Sequence, residues 1–368
     1  MTTHRAAEVF PPGEFIRDEI EARGWSQSDL AEILGRPVQA INEIIAAKKV
    51  ITPETAQGLG DAFGTGAQLW LNLENSWRLS NVATEDTGVA RRAQLFGKGP
   101  IREMIRRNWI KDSKDLDVLE ASVTEFFELS SIDTTPSLAF AAKKQSYGSR
   151  SAAQTAWCYR AKQLSETLKP GTYAPNDIGD AITKFRKLSA SVEGVRRVPN
   201  VLAELGVRFV VVEHLKSTKI DGAAFWLDEN SPVIAMSMRY DRIDNFWFVL
   251  GHELAHIKNN DKSVDERLVG TGAQPTEEKP SYEKAADEMA ATFLISERAM
   301  NEFISHHRPK YSKAAIEGFA KRLGVQPGIV VGQLQYRKEI SYSHSREMLC
   351  PVREHIISAA LTDGWNLK

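Results

Sequence analysis

The stretch FWFVLGHELAHIKNN at residues 246–260 places His252 and His256 four apart around Glu253, behind a run of apolar residues. On a helix, residues four apart lie about one turn from each other on one face. Both imidazoles can therefore point at a single ion, with Glu253 about 100° round, beside an open coordination position. Those are the parts needed for metal-assisted hydrolysis of a peptide bond, with zinc as the expected ion. The ion lowers the pKa of bound water towards about 7 and polarises the scissile carbonyl. Glu253, the expected catalytic residue, takes the water's proton and passes it to the leaving amine. A third ligand has to come from another element. SYEKAADEMAATFLIS supplies Glu283, 27 residues after His256, in an E-x-x-x-D arrangement with Asp287 one turn on. From there Asp287 can accept the N–H of His252 and fix its tautomer. The plainer reading of Glu283 and Asp287 is a solvated helix face, which the preceding zinc helix argues against.

Ala286, Ala290 and Phe293 make the packing face of that second helix, the small size of the two alanines letting it approach the expected metal helix closely. A strand around Val233–Met238 could hold an extended peptide by strand addition. No second donor for the oxyanion stands out by spacing. Tyr282, His306, His307 and His344 are the candidates, and a structural role is the simpler reading of each.

The elements that must position these residues fall into three segments of a multidomain chain. Residues 1–80 read as an all-α helix-turn-helix domain, 81–190 as a helical middle segment, and 191–368 as an α+β domain, in which the β-branched runs VRFVVVEHL and PVIAMSM alternate with helical stretches. LKPGTYAPND reads as a linker, and exposed connectors at 80–98 and 168–178 are the expected places for self-cleavage. FAKRLGVQPGIVVGQLQ repeats the spacing of helix, glycine turn and helix, and reads as packing within the last domain.

In the first segment, SQSDLAEILGRPVQAINEII has the layout of two helices crossing at a tight turn. Leu30, Ala31 and Leu34 face inward on the first, Gly35 allows a positive φ at the turn, and Ile41, Ile44 and Ile45 anchor the second. Thr52 before Pro53 is an N-cap. Gln27 is placed to reach a phosphate, and Arg36, Val38, Gln39, Asn42 and Glu43 form the surface presented to a major groove. Residues 1–80 hold seven Lys/Arg against eleven Asp/Glu, so attraction to a nucleic-acid backbone must come from Arg36, Lys48 and Lys49. The run 90–111 holds seven basic residues against one acidic and is a further candidate, with a solvated helix face as the alternative.

Composition excludes some classes. Hydrophobic content of 42% and charged content of 26% are those of a soluble globular protein, and no stretch approaches 18 uninterrupted apolar residues, so a membrane span is not expected. The first residues lack the apolar core of a secretory signal, which makes cytoplasm the expected compartment. Two cysteines, Cys158 and Cys350, far apart, argue against a disulfide framework and against a thiolate zinc site.

Residues 11–79 resemble the HigA-type antitoxin repressors, through the Pro-Gly-Glu opening, SQ before the first motif helix, ITPETA, and WLNLENSW at the end. The resemblance implies a helix-turn-helix of the phage-repressor class, a homodimer on a palindromic operator at its own promoter, and a toxin partner. Where that family commonly has Gly-Lys, this chain has Ala47-Lys48, so the usual glycine helix terminator is missing. Residues of about 190–345 resemble the ImmA/IrrE metallopeptidases, through DGAAFWLDENSPVIAMSM, FWFVLGHELAHI, YEKAADEMAATFLIS and FAKRLGVQPGIVVGQLQ. That likeness implies a gluzincin-like fold, a zinc ion on His252, His256 and Glu283, and, in some members, proteolysis of a repressor. Ala285 stands where the family often has an acidic residue, and Ala255 where it often has glycine. The expected whole is a regulator carrying a zinc-dependent endopeptidase that cuts a regulatory protein or itself. The alternative is an autorepressor that uses the same fold, without turnover, to sense a ligand or grip a toxin.

Overall fold

The periodic runs between the first prolines and glycines become five helices, α1 (Pro12–Ala22), α2 (Gln27–Ile33), α3 (Val38–Ile45), α4 (Pro53–Phe63) and α5 (Ala67–Asn81). The structure is a computed structural model and describes residues 9–81, 88–136, 151–216, 218–261 and 280–365. It divides into two compact units, Met1–Thr87 and Gly88–Lys368.

Local chemistry sets the helix ends of the first unit. Ser26 caps α2 reciprocally: its hydroxyl accepts from the Asp29 backbone, and the Asp29 carboxylate accepts from the Ser26 N–H at 2.7 Å. Thr52 caps α4 ahead of Pro53. Gly35 takes φ 59° at the turn. Leu30, Ala31, Ile41, Ile44 and Ile45 close a core with Ile16, Leu59 and Trp70. Ala47 takes the left-handed conformation usually left to glycine, at φ 55°. Its N–H then reaches the Ile44 carbonyl at 3.0 Å, and the Lys48 N–H reaches that of Glu43 at 2.8 Å.

The second unit begins with α6 (Val89–Lys98), α7 (Ile101–Arg106), α8 (Leu116–Phe126), α9 (Ala152–Glu166), α10 (Ile178–Leu188) and α11 (Val198–Glu204). Three strands follow, β1 (Arg208–Val211), β2 (Gly222–Trp226) and β3 (Pro232–Met236). Then come α12 (Ile243–Lys258), α13 (Ser281–Thr292), α14 (Glu297–His307), α15 (Lys313–Leu323), α16 (Pro327–Tyr336), α17 (Arg353–Ile357) and β4 (Leu361–Thr362). The sheet order is β2-β3-β1-β4, with β1 parallel to β3 and β4, and β2 antiparallel to β3.

These strands are apolar at consecutive positions because both faces are covered. Val210, Ala223, Phe225, Val233 and Ala235 point to one side and share a core with Leu95, Met104 and Trp157 from α6, α7 and α9. Phe209, Val211, Ala224, Ile234 and Met236 alternate to the other side, against Phe185, Leu202, Trp247 and Leu250. From Gly88 onward the segment 81–190 therefore belongs to the same unit as the strands, split between their two faces.

Two sequence expectations change form here. β3 is paired on both sides, to β1 and to β2, so it has no edge for an extended peptide. The connector 80–98 is helical from Val89, and its residues 82–87 lie outside the described residues. The connector 168–178 is held to the end of α11 and the residue after it, by the Gly171 N–H on the Ala203 carbonyl at 3.3 Å and the Ala174 N–H on that of Leu205 at 3.1 Å. α16 buries Val330, Val331 and Leu334, so the second pair of helices with glycine-turn spacing packs into the core.

Candidate metal centre and nucleic-acid face

α12 is buried almost all round, which is why its sequence is apolar on every side. Its first turn is anchored from outside the helix, the Ile243 N–H donating to the Cys350 carbonyl at 2.9 Å and Arg242 bridging Asp244 and Gln335. Gly251 lets α13 come close, since a β-carbon there would meet the Phe293 ring at 3.0 Å. Ala286 and Ala290 are buried on the facing side, and their small side chains permit the approach the sequence suggested.

The approach brings His252, His256 and Glu283 together, with one ligand atom of each within 4.8 Å of the others. The two Nε2 atoms are 3.0 Å apart, and each lies 3.5 Å from a carboxylate oxygen of Glu283. The Nδ1 atoms face carboxylates behind the cluster. His252 Nδ1 is 3.2 Å from Asp287, and His256 Nδ1 is 3.0 Å from Asp261. An imidazole that donates its Nδ1 proton to a carboxylate carries its lone pair on Nε2. Two such lone pairs and a carboxylate oxygen then converge on one buried point, a donor set that suits a cation. A tetrahedral zinc about 2.0–2.1 Å from each ligand separates neighbouring ligand atoms by roughly 3.3 Å, so the spacing also fits. Burial, and after it the neighbouring His252, hold the His256 pKa below the usual histidine value, favouring the neutral ring that a metal requires.

Glu253 is buried beside the cluster and lies over the start of β2, where a β-carbon on Gly222 would be 2.8 Å from its Oε1. Of the four oxyanion candidates, Tyr282 alone is placed beside the cluster, its ring 6.3 Å from that of His256. His306 and His307 are tied through Nδ1 to carbonyls of their own helix, α14, and His344 is exposed. Phe248, one turn before His252, stacks 6.4 Å from its ring and lies tilted 6.0 Å from that of exposed Tyr336.

In the first unit α3 exposes Val38, Gln39 and Asn42, and half-exposed Glu43 accepts from the Gln39 amide at 3.1 Å. Arg36 is half-buried ahead of it, Gln27 opens α2, and Lys48 and Lys49 are exposed beyond the end of α3. In the second unit much of the basic run 90–111 has internal partners. Arg91 pairs with Asp117 and Glu120 at 2.7 Å, and buried Arg107 with Glu103 at 2.6 Å and Asp363 at 3.5 Å.

Comparison with known proteins fits this division. Residues 16–70 match a profile described as helix-turn-helix. Virulence-associated protein I of Dichelobacter nodosus is 39% identical over 76 residues, 20% of this chain and 69% of that protein. The chain belongs to this helix-turn-helix family. The HTH-type transcriptional regulator YddM of Escherichia coli K12 is 29% identical over 82 residues, 22% of this chain and 87% of its own length. Among solved structures, Pseudomonas aeruginosa antitoxin HigA with the higBA promoter is 29% identical, covers 24% of this chain and 91% of that one, and has a TM-score of 0.20. Residues 204–334 match a peptidase-family profile described as the IrrE N-terminal-like domain.

The helix-turn-helix match includes α2, α3 and every candidate DNA contact, and the IrrE-like match runs from the end of α11 into α16, enclosing His252, His256 and Glu283. Two residues at the site were not singled out from sequence. Asp261 belongs to no ligand motif, its only signal being the Asn259-Asn260-Asp261 run that ends α12. Gly222 is ordinary in sequence and becomes meaningful only once β2 lies across α12. No helix among the described residues is long and apolar enough to cross a membrane.

Proposed function

We propose that the chain couples operator binding by its helix-turn-helix unit to zinc-dependent hydrolysis of peptide bonds by its IrrE-like domain, acting on a regulatory protein or on the chain itself. The observation that carries the hydrolytic half is the buried convergence of His252, His256 and Glu283 within 4.8 Å, with Glu253 alongside. A zinc ion held by those three residues would supply a Lewis acid for the scissile carbonyl and lower the pKa of a bound water to about 7. Glu253 is the general base, taking the proton of the attacking water and returning it to the departing amine. Asp287 holds His252 in the tautomer that presents Nε2.

For the DNA half, Val38, Gln39, Asn42 and Glu43 face the bases while Gln27, Arg36, Lys48 and Lys49 contact phosphates. Homodimer formation on a palindromic operator is supported by α5, where exposed Leu69 and half-buried Leu73 and Trp77 follow one another at four-residue spacing.

Glu253→Gln tests the reading, because the amide cannot accept the water's proton yet removes no ligand. Wild type and variant are incubated with lysate of the native host, and new protein termini are compared by mass spectrometry, self-cleavage included. Termini generated only by wild type support the peptidase. Zinc-loaded wild type that generates none, while repressing its operator as well as the variant does, would make the site a sensor or a clamp for a toxin.

A further inference from the structure

The Asp261 side chain reaches His256 because of how α12 ends. Asn260 takes φ 56°, the left-handed conformation, after the C-cap Asn259. The Asn260 N–H then donates to the Ile257 carbonyl at 3.1 Å, and the Asp261 N–H to that of His256 at 2.9 Å. This is the double reversed bonding of a Schellman terminus. Its second bond fastens the Asp261 backbone to the residue whose ring the Asp261 carboxylate meets, at 3.0 Å from Nδ1. Helix termination and ring orientation are thus set by one short segment.

We propose that Asp261 is a positioning residue of the metal centre, holding His256 with Nδ1 protonated so that Nε2 is presented to the ion, as Asp287 does for His252. The inference rests on the metal-centre reading. Its chemistry is direct: the opposite tautomer would set a nitrogen lone pair against a carboxylate oxygen at 3.0 Å and put a proton on Nε2, leaving that nitrogen no lone pair for an ion. A carboxylate on the far side of the ring also raises the basicity of the ligating nitrogen. With Asp261 in place both histidines are braced in the same way, by carboxylates from opposite ends of the site, one on α13 and one just past α12.

The test is zinc affinity of the full chain by chelator competition, together with long-range 1H–15N spectra of His256 in the metal-free protein. Asp261→Ala should weaken zinc binding about 10- to 100-fold and replace the Nδ1–H form of the ring by a mixture. Asp261→Asn should lose less, because its amide oxygen accepts the same N–H. Asn260→Gly keeps the left-handed turn and should leave affinity unchanged. If Asp261→Ala fails to fold, Asp261→Ser, too short to reach the ring, should give the same loss. Wild type and Asp261→Ala binding zinc equally, with the same His256 tautomer, would overturn this inference alone and leave Asp261 as a helix terminator. Wild type that takes up no zinc would overturn the metal-centre reading and this inference with it.

Discussion

A β-carbon on Gly222 would sit 2.8 Å from Oε1 of Glu253 and 2.7 Å from Cγ1 of Val249, so the start of β2 and the proposed general base on α12 share one space. Val249, β-branched and buried on a helix packed on several sides, cannot retreat easily, so the carboxylate at the end of the longer Glu253 side chain is the group that yields. Gly222→Ala is expected to push the Glu253 carboxylate aside while leaving all three ligands in place. Zinc content by elemental analysis should match wild type, and the rate of peptide-bond cleavage should fall about 100-fold, the cost of displacing a catalytic group by roughly 1 Å. Unchanged turnover would mean that Glu253 is not held by this contact.

Ala47 closes α3 at φ 55° without glycine's freedom. A left-handed alanine costs about 1–2 kcal/mol, part of which is offset by the chain entropy that glycine adds to the unfolded state. Ala47→Gly should therefore stabilise the first unit by about 1 kcal/mol, read as a higher denaturant midpoint at unchanged slope. Ala47→Val should lower the midpoint, because a β-branched side chain tolerates this conformation less well.

The lowered pKa of His256 fixes a sign for acid behaviour in the metal-free protein. The unfolded chain protonates this histidine near pH 6.5, the folded chain at a lower pH. The unfolded state thus binds more protons between those two values, and the stability linked to His256, intact above about pH 6.5, declines as pH falls towards the folded value and then levels off. Urea midpoints of wild type against His256→Gln across that window should show the wild type losing more on acidification. A difference that grew instead as pH rose would contradict the depressed pKa.

On the proposed DNA face, base reading and backbone attraction fall to different residues. Gln39→Ala should relax base preference at one operator position with little change in salt dependence, whereas Lys48→Ala should weaken binding to all sequences and reduce the salt slope by about 1. Fluorescence anisotropy on the promoter DNA, at several salt concentrations, distinguishes the two. Equal losses on every sequence from both variants would remove Gln39 from the base-reading role.

The proposed ligands were legible because their spacing is local. His252 and His256 share a helix face by period alone, and Glu283 with Asp287 repeats that logic. Asp261 was not, because it depends on a left-handed Asn260 that turns the chain back, and asparagine there favours a helix end without saying which side chain the next carboxylate meets. The same limit applies to β3. Consecutive apolar residues announce a strand covered on both faces but not which strands pair with it, so whether β3 offers an edge to an extended peptide depends on sheet order. The helix-turn-helix was readable from Leu30, Ala31, Gly35 and Ile41 at their separations. The basic run was less so, since the partners of Arg91 and Arg107 lie as far away as Asp363 and are brought near only by folding.

The sandwich of α6, α7 and α9, the sheet, and the helices on its other face makes a broken backbone a different event from a released domain. A single nick within 168–178 would cut between α9, which covers one face of the sheet, and α10, which covers the other. The two pieces would still clasp the same strands. Such a cut would be seen as two bands under denaturing conditions and as one particle of unaltered size under native ones.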